Sequence, residues 1–224
     1  MPRIARVVVI GVPHHITQRA SNGQSVFLTD EDHRRYLRVL KEQSQKYELK
    51  IFGYCLMSNH IHLVATPLNE HALAKTMGRT NLSYTMYFNR VHDRNGHLWQ
   101  NRFYSCPLDE RHFWASMRYV ERNPVEAGLV RCAWRYPWSS AAAHVLGEDA
   151  AGLLDLEEWK AEMRPKDWSE TLKHPERPEN VTKLGKALST GRPLGSNGFV
   201  SDLEKMLNRR LRALPGGRPR KNEN

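Results

Sequence analysis

LKIFGYCLMSNHIHLVAT, residues 49–66, is the stretch from which the fold is read. Leu49, Ile51, Gly53 and Cys55 alternate with Lys50, Phe52, Tyr54 and Leu56, a period of two that predicts an extended strand. Met57, Ser58 and Asn59 form a short connection, and His60 to Thr66 returns as the antiparallel partner, stopped by Pro67. Alternate side chains of a strand share a face, so His60 and His62 point the same way while Ile61 and Leu63 enter the core. Two imidazoles so placed can hold one divalent cation. They can equally be two polar residues on a solvated face, and the spacing alone leaves both readings open.

Upstream of the hairpin, Pro13-His14-His15-Ile16-Thr17-Gln18-Arg19 predicts a strand, Asn22-Gly23 a turn, and Thr29, Asp30 and Glu31 the start of a helix running to about Tyr47. Tyr36, Leu37 and Leu40 suit its buried face, with Arg34, Arg35, Lys41 and Glu42 left to solvent. Downstream, a helix from about His71 to Val91 carries Leu73, Met77, Leu82, Met86 and Phe88 and is broken by Asp93-Arg94-Asn95-Gly96. A short strand follows near Ser105 to Leu108. A third helix starts near Asp109, carries Phe113, Trp114, Met117 and Val120, and should end near Asn123, because proline disfavours helical geometry in the residue before it. The order strand, helix, strand, strand, helix, strand, with a further helix, predicts an α+β fold: a ferredoxin-like antiparallel sheet with two helices on one face and the other face free for a site.

A chain of 224 residues suits one domain with a smaller appendage. Residues 1–150 read as that domain, closed by the aromatic segment Trp134 to Ala143. Residues 151–195 read as a partly ordered linker containing one helix, Leu153 to Met163, and then a stretch rich in Pro, Lys, Glu and Thr. Residues 196–224 read as a short amphipathic helix, Phe199 to Leu211, with Val200, Leu203, Met206 and Leu207 on one face, followed by a basic tail.

Lys and Arg number 34 against 24 Asp and Glu, a formal charge of +10, which points to a polyanionic partner, nucleic acid first. The tail concentrates that charge in Arg209, Arg210, Arg212, Arg218, Arg220 and Lys221, a foothold for phosphates. Gly217-Arg218-Pro219 also resembles an AT-hook core. The apolar patch Val7 to Val12 is too short for a signal peptide and no run is long enough for a membrane span, so a soluble, cytoplasmic, nucleoid-associated protein is expected. Three widely spaced cysteines without a Cys-x-x-Cys pair exclude a disulfide framework and a zinc ribbon. Between the second helix and the last strand, Trp99, Arg102 and Phe103 interleave aromatic and basic groups, which suits either stacking on an unpaired base or plugging the core beneath a loop.

Tyr119 and Asn123 are one helical turn apart and share a face, about 5–6 Å apart at Cβ. The Asn123 amide oxygen can complete a metal site begun by His60 and His62, with the Tyr119 hydroxyl beside it. Taken singly, a tyrosine in an amphipathic helix is a core-edge residue and an asparagine before proline a helix terminator.

In combination these motifs resemble a known family. His60-Ile61-His62 is similar to the His-hydrophobe-His signature of HUH endonucleases. Gly53-Tyr-Cys-Leu-Met-Ser-Asn-His-Ile-His-Leu and Tyr119-Val-Glu-Arg-Asn-Pro-Val resemble the single-tyrosine transposases of the REP-associated group, as do Pro13 to Arg19 and His97-Leu-Trp-Gln-Asn-Arg-Phe. The resemblance implies that His60, His62 and Asn123 bind a divalent metal, Mg²⁺ or Mn²⁺, with no small-molecule cofactor. It implies that Tyr119 attacks DNA to leave a 5′-phosphotyrosine. The implied substrate is single-stranded DNA beside a hairpin folded from repetitive extragenic palindromes, handled by a monomer. Arg19, Trp99 and Arg102 are then candidates for guiding the strand, and His14 and His15 are either further contacts or local structural hydrogen bonders. Glu121 is expected to point away from Tyr119. A non-catalytic ferredoxin-like nucleic-acid binder, or a regulator holding repeats through its tail, is the competing reading.

Overall fold

The structure is a computed structural model and describes residues 5–147, 149 and 151–213. Arg218, Arg220 and Lys221 lie outside the described residues. Strands β1 (His14–Arg19), β2 (Leu49–Met57), β3 (His60–Pro67) and β4 (Tyr104–Pro107) form one sheet in the order β2-β3-β1-β4. Each neighbouring pair is antiparallel. With helices α1 (Asp30–Lys46) and α2 (Ala72–Val91) between the strands, this is the expected split βαβ arrangement.

Helix α1 begins where the sequence placed it. Thr29 accepts from the Asp32 amide while the Asp32 carboxylate accepts from the Thr29 amide at 2.9 Å, a reciprocal cap that satisfies two otherwise unpaired donors. Its Tyr36, Leu37 and Leu40 meet Leu73, Met77, Tyr84 and Phe88 of α2 over Ile16, Leu56, Ile61 and Leu63 of the sheet. In α2 the buried stripe runs through residues 73, 77, 80, 84 and 88, so Leu82 and Met86, expected inside, are 54% and 67% exposed.

Strand β2 does not keep one period. A bulge between Ile51 and Gly53 shifts its register against β3, so Leu49 and Ile51 share the α1/α2 face with Tyr54 and Leu56, whereas Phe52, Cys55 and Met57 face the other way. Strict alternation had put Cys55 with Ile51. The extra residue in a bulge reverses the phase of everything after it. At Gly53 a Cβ would stand 2.8 Å from the Met117 thioether and 3.3 Å from Ser140 Oγ, so glycine lets the third helix approach.

That third helix, α3 (Glu110–Glu126), runs through Pro124 instead of stopping at Asn123. Pro124 lies in the last turn, and its carbonyl accepts from Leu129 N at 2.9 Å while Gly128, at φ 69°, donates to Val125 O at 3.0 Å. This is the C-terminal motif that closes a helix on a left-handed glycine, and it carries the helix two residues beyond the proline.

The second face of the sheet is not left free. Met117 and Val120 of α3 pack there on Phe52, Cys55, Val64 and Cys106, joined by Trp159, Trp168, Leu172, Leu184 and Leu188. The last five belong to α5 (Leu156–Glu162), α6 (Pro165–Lys173) and α7 (Pro178–Thr190), which follow a short α4 (Ala141–Leu146). Residues 151–195 therefore carry three helices packed on the domain, not a linker. Helix signals were present there: proline opens both α6 and α7, and Gly191 closes α7 at φ 72°. Residues 136–140 lie along the outer edge of β2, where Leu56 N donates to Trp138 O (2.8 Å) and Ser140 N to Tyr54 O (3.0 Å), which shields an edge strand.

Helix α8 (Asn197–Met206) lays Leu203 on Val7 and Val9, with Leu211 beside them. Met206, expected on that face, is exposed. The three cysteines are free thiols. Among the described residues no helix is long and apolar enough to cross a membrane.

Candidate active site

The β1/β3 register opposes Thr17 to His62 and Arg19 to His60, and His15 to Val64. Since Ile16, Ile61 and Leu63 enter the α1/α2 core, the alternation sends His15, His60 and His62 to the face that carries α3. There the His60 and His62 rings lie edge to face, centroids 5.0 Å apart. Tyr119 of α3 stands at right angles to His62 at 5.6 Å and tilted over His15 at 5.9 Å. The Asn123 side chain lies close enough to the His60 ring and the Tyr119 phenol to act on both, and its Nδ2 donates to the Tyr119 carbonyl at 2.9 Å. The structure thus brings His60, His62, Tyr119 and Asn123 to one place.

Each histidine has one ring nitrogen committed. His60 Nδ1 lies 2.7 Å from Asn59 Oδ1, and His62 Nδ1 lies 2.9 Å from His15 Nε2. The Nε2 atoms are the pair left for a ligand, with Asn123 the nearby oxygen source. Burial, then the charge of Arg19, lowers the His60 pKa to about 4; burial and then neighbouring His15 and His60 hold His62 well below its usual value. Both rings are neutral near pH 7, the state in which imidazole can ligate a metal. Among the described residues no group of three or more His, Cys, Asp or Glu converges, so a metal here depends on an amide as third donor.

Burial raises the Tyr119 pKa, and the Asn123 hydrogen bond and the Arg19 charge oppose that rise. Arg19 therefore acts on His60, His62 and Tyr119 alike, from an exposed position at the end of β1.

The other guiding candidates divide. Arg102 is exposed, and with Arg6, Gln18 and Asn101 it lines a cavity beside α2. Trp99 lines the same cavity but is a core residue, 9% exposed, its ring 6.0 Å from Tyr36 and 6.1 Å from Tyr84. Aromatic packing under the loop won over display. Arg209 donates to the Ala5 carbonyl at 2.6 Å, and both it and the exposed Arg210 line a surface groove with Lys205 and Asn208. His14 is structural: its Nδ1 lies 2.7 Å from Val12 O and its Nε2 accepts from Val9 N at 3.4 Å. His15 is not, because it touches His62 itself. A His on the same strand face as Thr17 was the available signal, but the cross-strand register was not in the sequence.

Glu121 points away from Tyr119, as expected, into the core. Its carboxylate accepts from Trp168 Nε1 (2.7 Å) and from Ser140 Oγ, and His144 Nδ1 lies 2.5 Å from Oε1. On the same helix Arg118 pairs with Glu176 at 2.6 Å, and Arg122 donates to Leu172 O at 2.5 Å. The helix that presents Tyr119 and Asn123 is thereby fastened to the C-terminal helices.

A sequence profile described as "Transposase IS200 like" matches residues 9–123, from before β1 to Asn123. The chain belongs to the IS200-like transposase family. The match ends inside α3, so the helices that fasten this IS200-like helix from behind lie beyond it. A solved structure, "Structure of the REP associates tyrosine transposase bound to a REP hairpin", is similar in fold, with TM-score 0.54 and 18% identity over 70% of this chain and 90% of that one. A putative transposase from Deinococcus radiodurans also matches, with TM-score 0.39 and 16% identity over 54% of this chain and 97% of that one. No curated protein matches the chain.

Proposed function

We propose that this IS200-like chain cuts and rejoins single-stranded DNA beside palindromic hairpins of the REP type, with Tyr119 as nucleophile. The observation that carries the reading is the meeting of Tyr119 and Asn123, from one turn of α3, with His60 and His62 of β3. The formal charge of +10 suits a phosphate backbone, and the fold is shared with a REP-associated transposase solved with a REP hairpin.

The donor set fits a divalent metal. Two neutral imidazoles and an amide oxygen make a mixed N/O site that Mg²⁺ or Mn²⁺ accepts while keeping positions for water and substrate. Such an ion, when held by His60, His62 and Asn123, supplies charge to a non-bridging phosphate oxygen and to the leaving 3′ oxygen. The protein's own groups do the rest. Tyr119 Oη attacks phosphorus and gives up its proton, the bond to the 3′ oxygen breaks, and a 5′-phosphotyrosine and a free 3′-hydroxyl remain. The phosphodiester energy is kept in that link, so a second 3′-hydroxyl can displace the tyrosine without ATP. Asn123 orients the phenol and stabilises its anion. Arg19, exposed beside both histidines, holds the incoming phosphate, and Arg102, Arg209 and Arg210, with the tail residues Arg218, Arg220 and Lys221, hold flanking DNA. Since α3 is fastened to helices of its own chain through Glu121, Arg118 and Arg122, Tyr119 serves the site of its own protomer, which suits a monomer.

The test is incubation of a labelled hairpin oligonucleotide carrying a single-stranded flank with Mn²⁺. A denaturation-resistant protein–DNA adduct is expected with wild type and none with Tyr119→Phe; His60→Ala and EDTA should each abolish it. An adduct that persists in Tyr119→Phe overturns the assignment.

A further inference from the structure

We propose that His15 is a positioning residue that fixes the His62 imidazole in the tautomer able to take a metal. The inference rests on the metal role proposed for His62. His15 and His62 come from neighbouring strands, each is buried, and His15 Nε2 lies 2.9 Å from His62 Nδ1. Two neutral imidazoles joined in this way share one proton on that line, so one ring donates and the other accepts. If His15 Nε2 carried it, His62 would hold its own proton on Nε2, the nitrogen that faces away from His15, and could not ligate through it. If His62 Nδ1 carries it, Nε2 has its lone pair free. Metal-ligating histidines hold their tautomer by donating the second N–H to a fixed acceptor, and the acceptor usual in that place is a carboxylate, a carbonyl or water. Here it is another imidazole.

The cost of this arrangement is visible on the far side of His15. With Nε2 accepting, its proton sits on Nδ1, and His15 Nδ1 is buried without a hydrogen-bond partner. A buried polar atom left unpaired is unfavourable and calls for an explanation. His15 Nδ1 has no partner in either tautomer of the pair, so the choice between them is made at His62, where a metal on Nε2 requires the proton on Nδ1. The rest of the ring is held by packing: His15 lies against the Tyr119 ring at 5.9 Å, so the residue that sets the His62 tautomer also abuts the nucleophile.

Two substitutions separate tautomer control from packing. His15→Phe keeps an aromatic ring against Tyr119 but removes the acceptor. His15→Gln supplies an amide oxygen that accepts from His62 Nδ1–H. Binding of Mn²⁺ alone, without DNA, is followed by electron paramagnetic resonance and calorimetry, with thermal melts of the metal-free proteins as control. In His15→Phe the Mn²⁺ dissociation constant should rise ~10- to 100-fold, the range typical for loss of a partner behind a ligand, and His15→Gln should stay within about 3-fold of wild type. Long-range ¹H–¹⁵N spectra of Mg²⁺-loaded wild type should place the His62 proton on Nδ1. If wild type binds Mn²⁺ and His60→Ala does not, yet His15→Phe binds as wild type does, the tautomer role is wrong while the metal reading stands. If wild type takes up no Mn²⁺ at His60, both are wrong. Should His15→Phe fail to fold, the spectrum decides: a proton on His62 Nε2 in the Mg²⁺-loaded protein overturns the proposal.

Discussion

Replacing Glu121 by alanine should loosen the helix that carries Tyr119 without touching the tyrosine. The carboxylate is fully buried and is the shared acceptor for Trp168 Nε1, Ser140 Oγ and His144 Nδ1, reaching α6 and α4 from α3. Its removal strands these donors in the core. Each unsatisfied donor costs roughly 1–3 kcal/mol, and Trp168 Nε1 and His144 Nδ1 are two such donors. Because Ser140 keeps its contact to Tyr54 O at 3.3 Å, a total near 4 kcal/mol is expected, a large share of a domain stability of about 5–15 kcal/mol. Glu121→Gln retains one acceptor oxygen and should lose about half as much. Urea unfolding followed by circular dichroism gives the difference directly. Hydrogen exchange should show α6 and the C-terminal half of α3 losing protection together. A Glu121→Ala protein within about 1 kcal/mol of wild type would refute the view that this carboxylate joins the two.

Other outcomes follow from the same structure. Truncation after Asp155 should give an insoluble or dye-binding protein, since it uncovers Phe52, Met117 and Val120, which pack with Trp159, Trp168 and Leu188; a soluble, cooperatively melting fragment would mean that residues 156–190 are dispensable. Gly53→Ala should cost about 1–3 kcal/mol, the usual range for overpacking, because its Cβ meets Met117 at 2.8 Å, and thermal melting measures it. Burial lowers the His14 pKa to about 4, whereas the unfolded chain binds that proton near 6.5. Its contribution to stability is therefore complete above about pH 6.5 and is lost as pH falls toward 4, by up to roughly 3 kcal/mol. Denaturation of wild type and His14→Phe from pH 7 to 4.5 should show a shallower decline in the variant, and parallel curves would contradict the assignment.

The sheet and the placement of His60 and His62 were legible because an extended strand repeats every two residues whatever covers its faces, and Ile61 and Leu63 left the histidines no other side. Tyr119 and Asn123 were legible because a helix repeats at four residues whatever surrounds it. The register that puts His15 on His62 was not, since strand pairing depends on turns and bulges. The bulge near Phe52 reversed the phase of β2 with no residue that announces it. Pro124 misled because its effect on the preceding residue is a preference that tertiary packing and a left-handed Gly128 can override. Residues 156–190 misled for another reason: their large apolar side chains are sparse, yet Trp159 and Trp168 each bury a whole indole, so a composition that suits a linker still builds three packed helices. Trp99 shows the converse, a residue chosen for nucleic acid on its neighbours and buried on its own merits.

Mass spectrometry of the trapped adduct locates the nucleophile. Wild-type protein, Mn²⁺ and a hairpin oligonucleotide cleaved in its single-stranded flank are digested with nuclease and trypsin. A phosphate or nucleotide is expected on the tryptic peptide Tyr119-Val-Glu-Arg, joined at the tyrosine, with a matching free 3′-hydroxyl fragment. A modified peptide elsewhere in the chain, or cleavage of the flank with no peptide modified, would contradict Tyr119 as nucleophile.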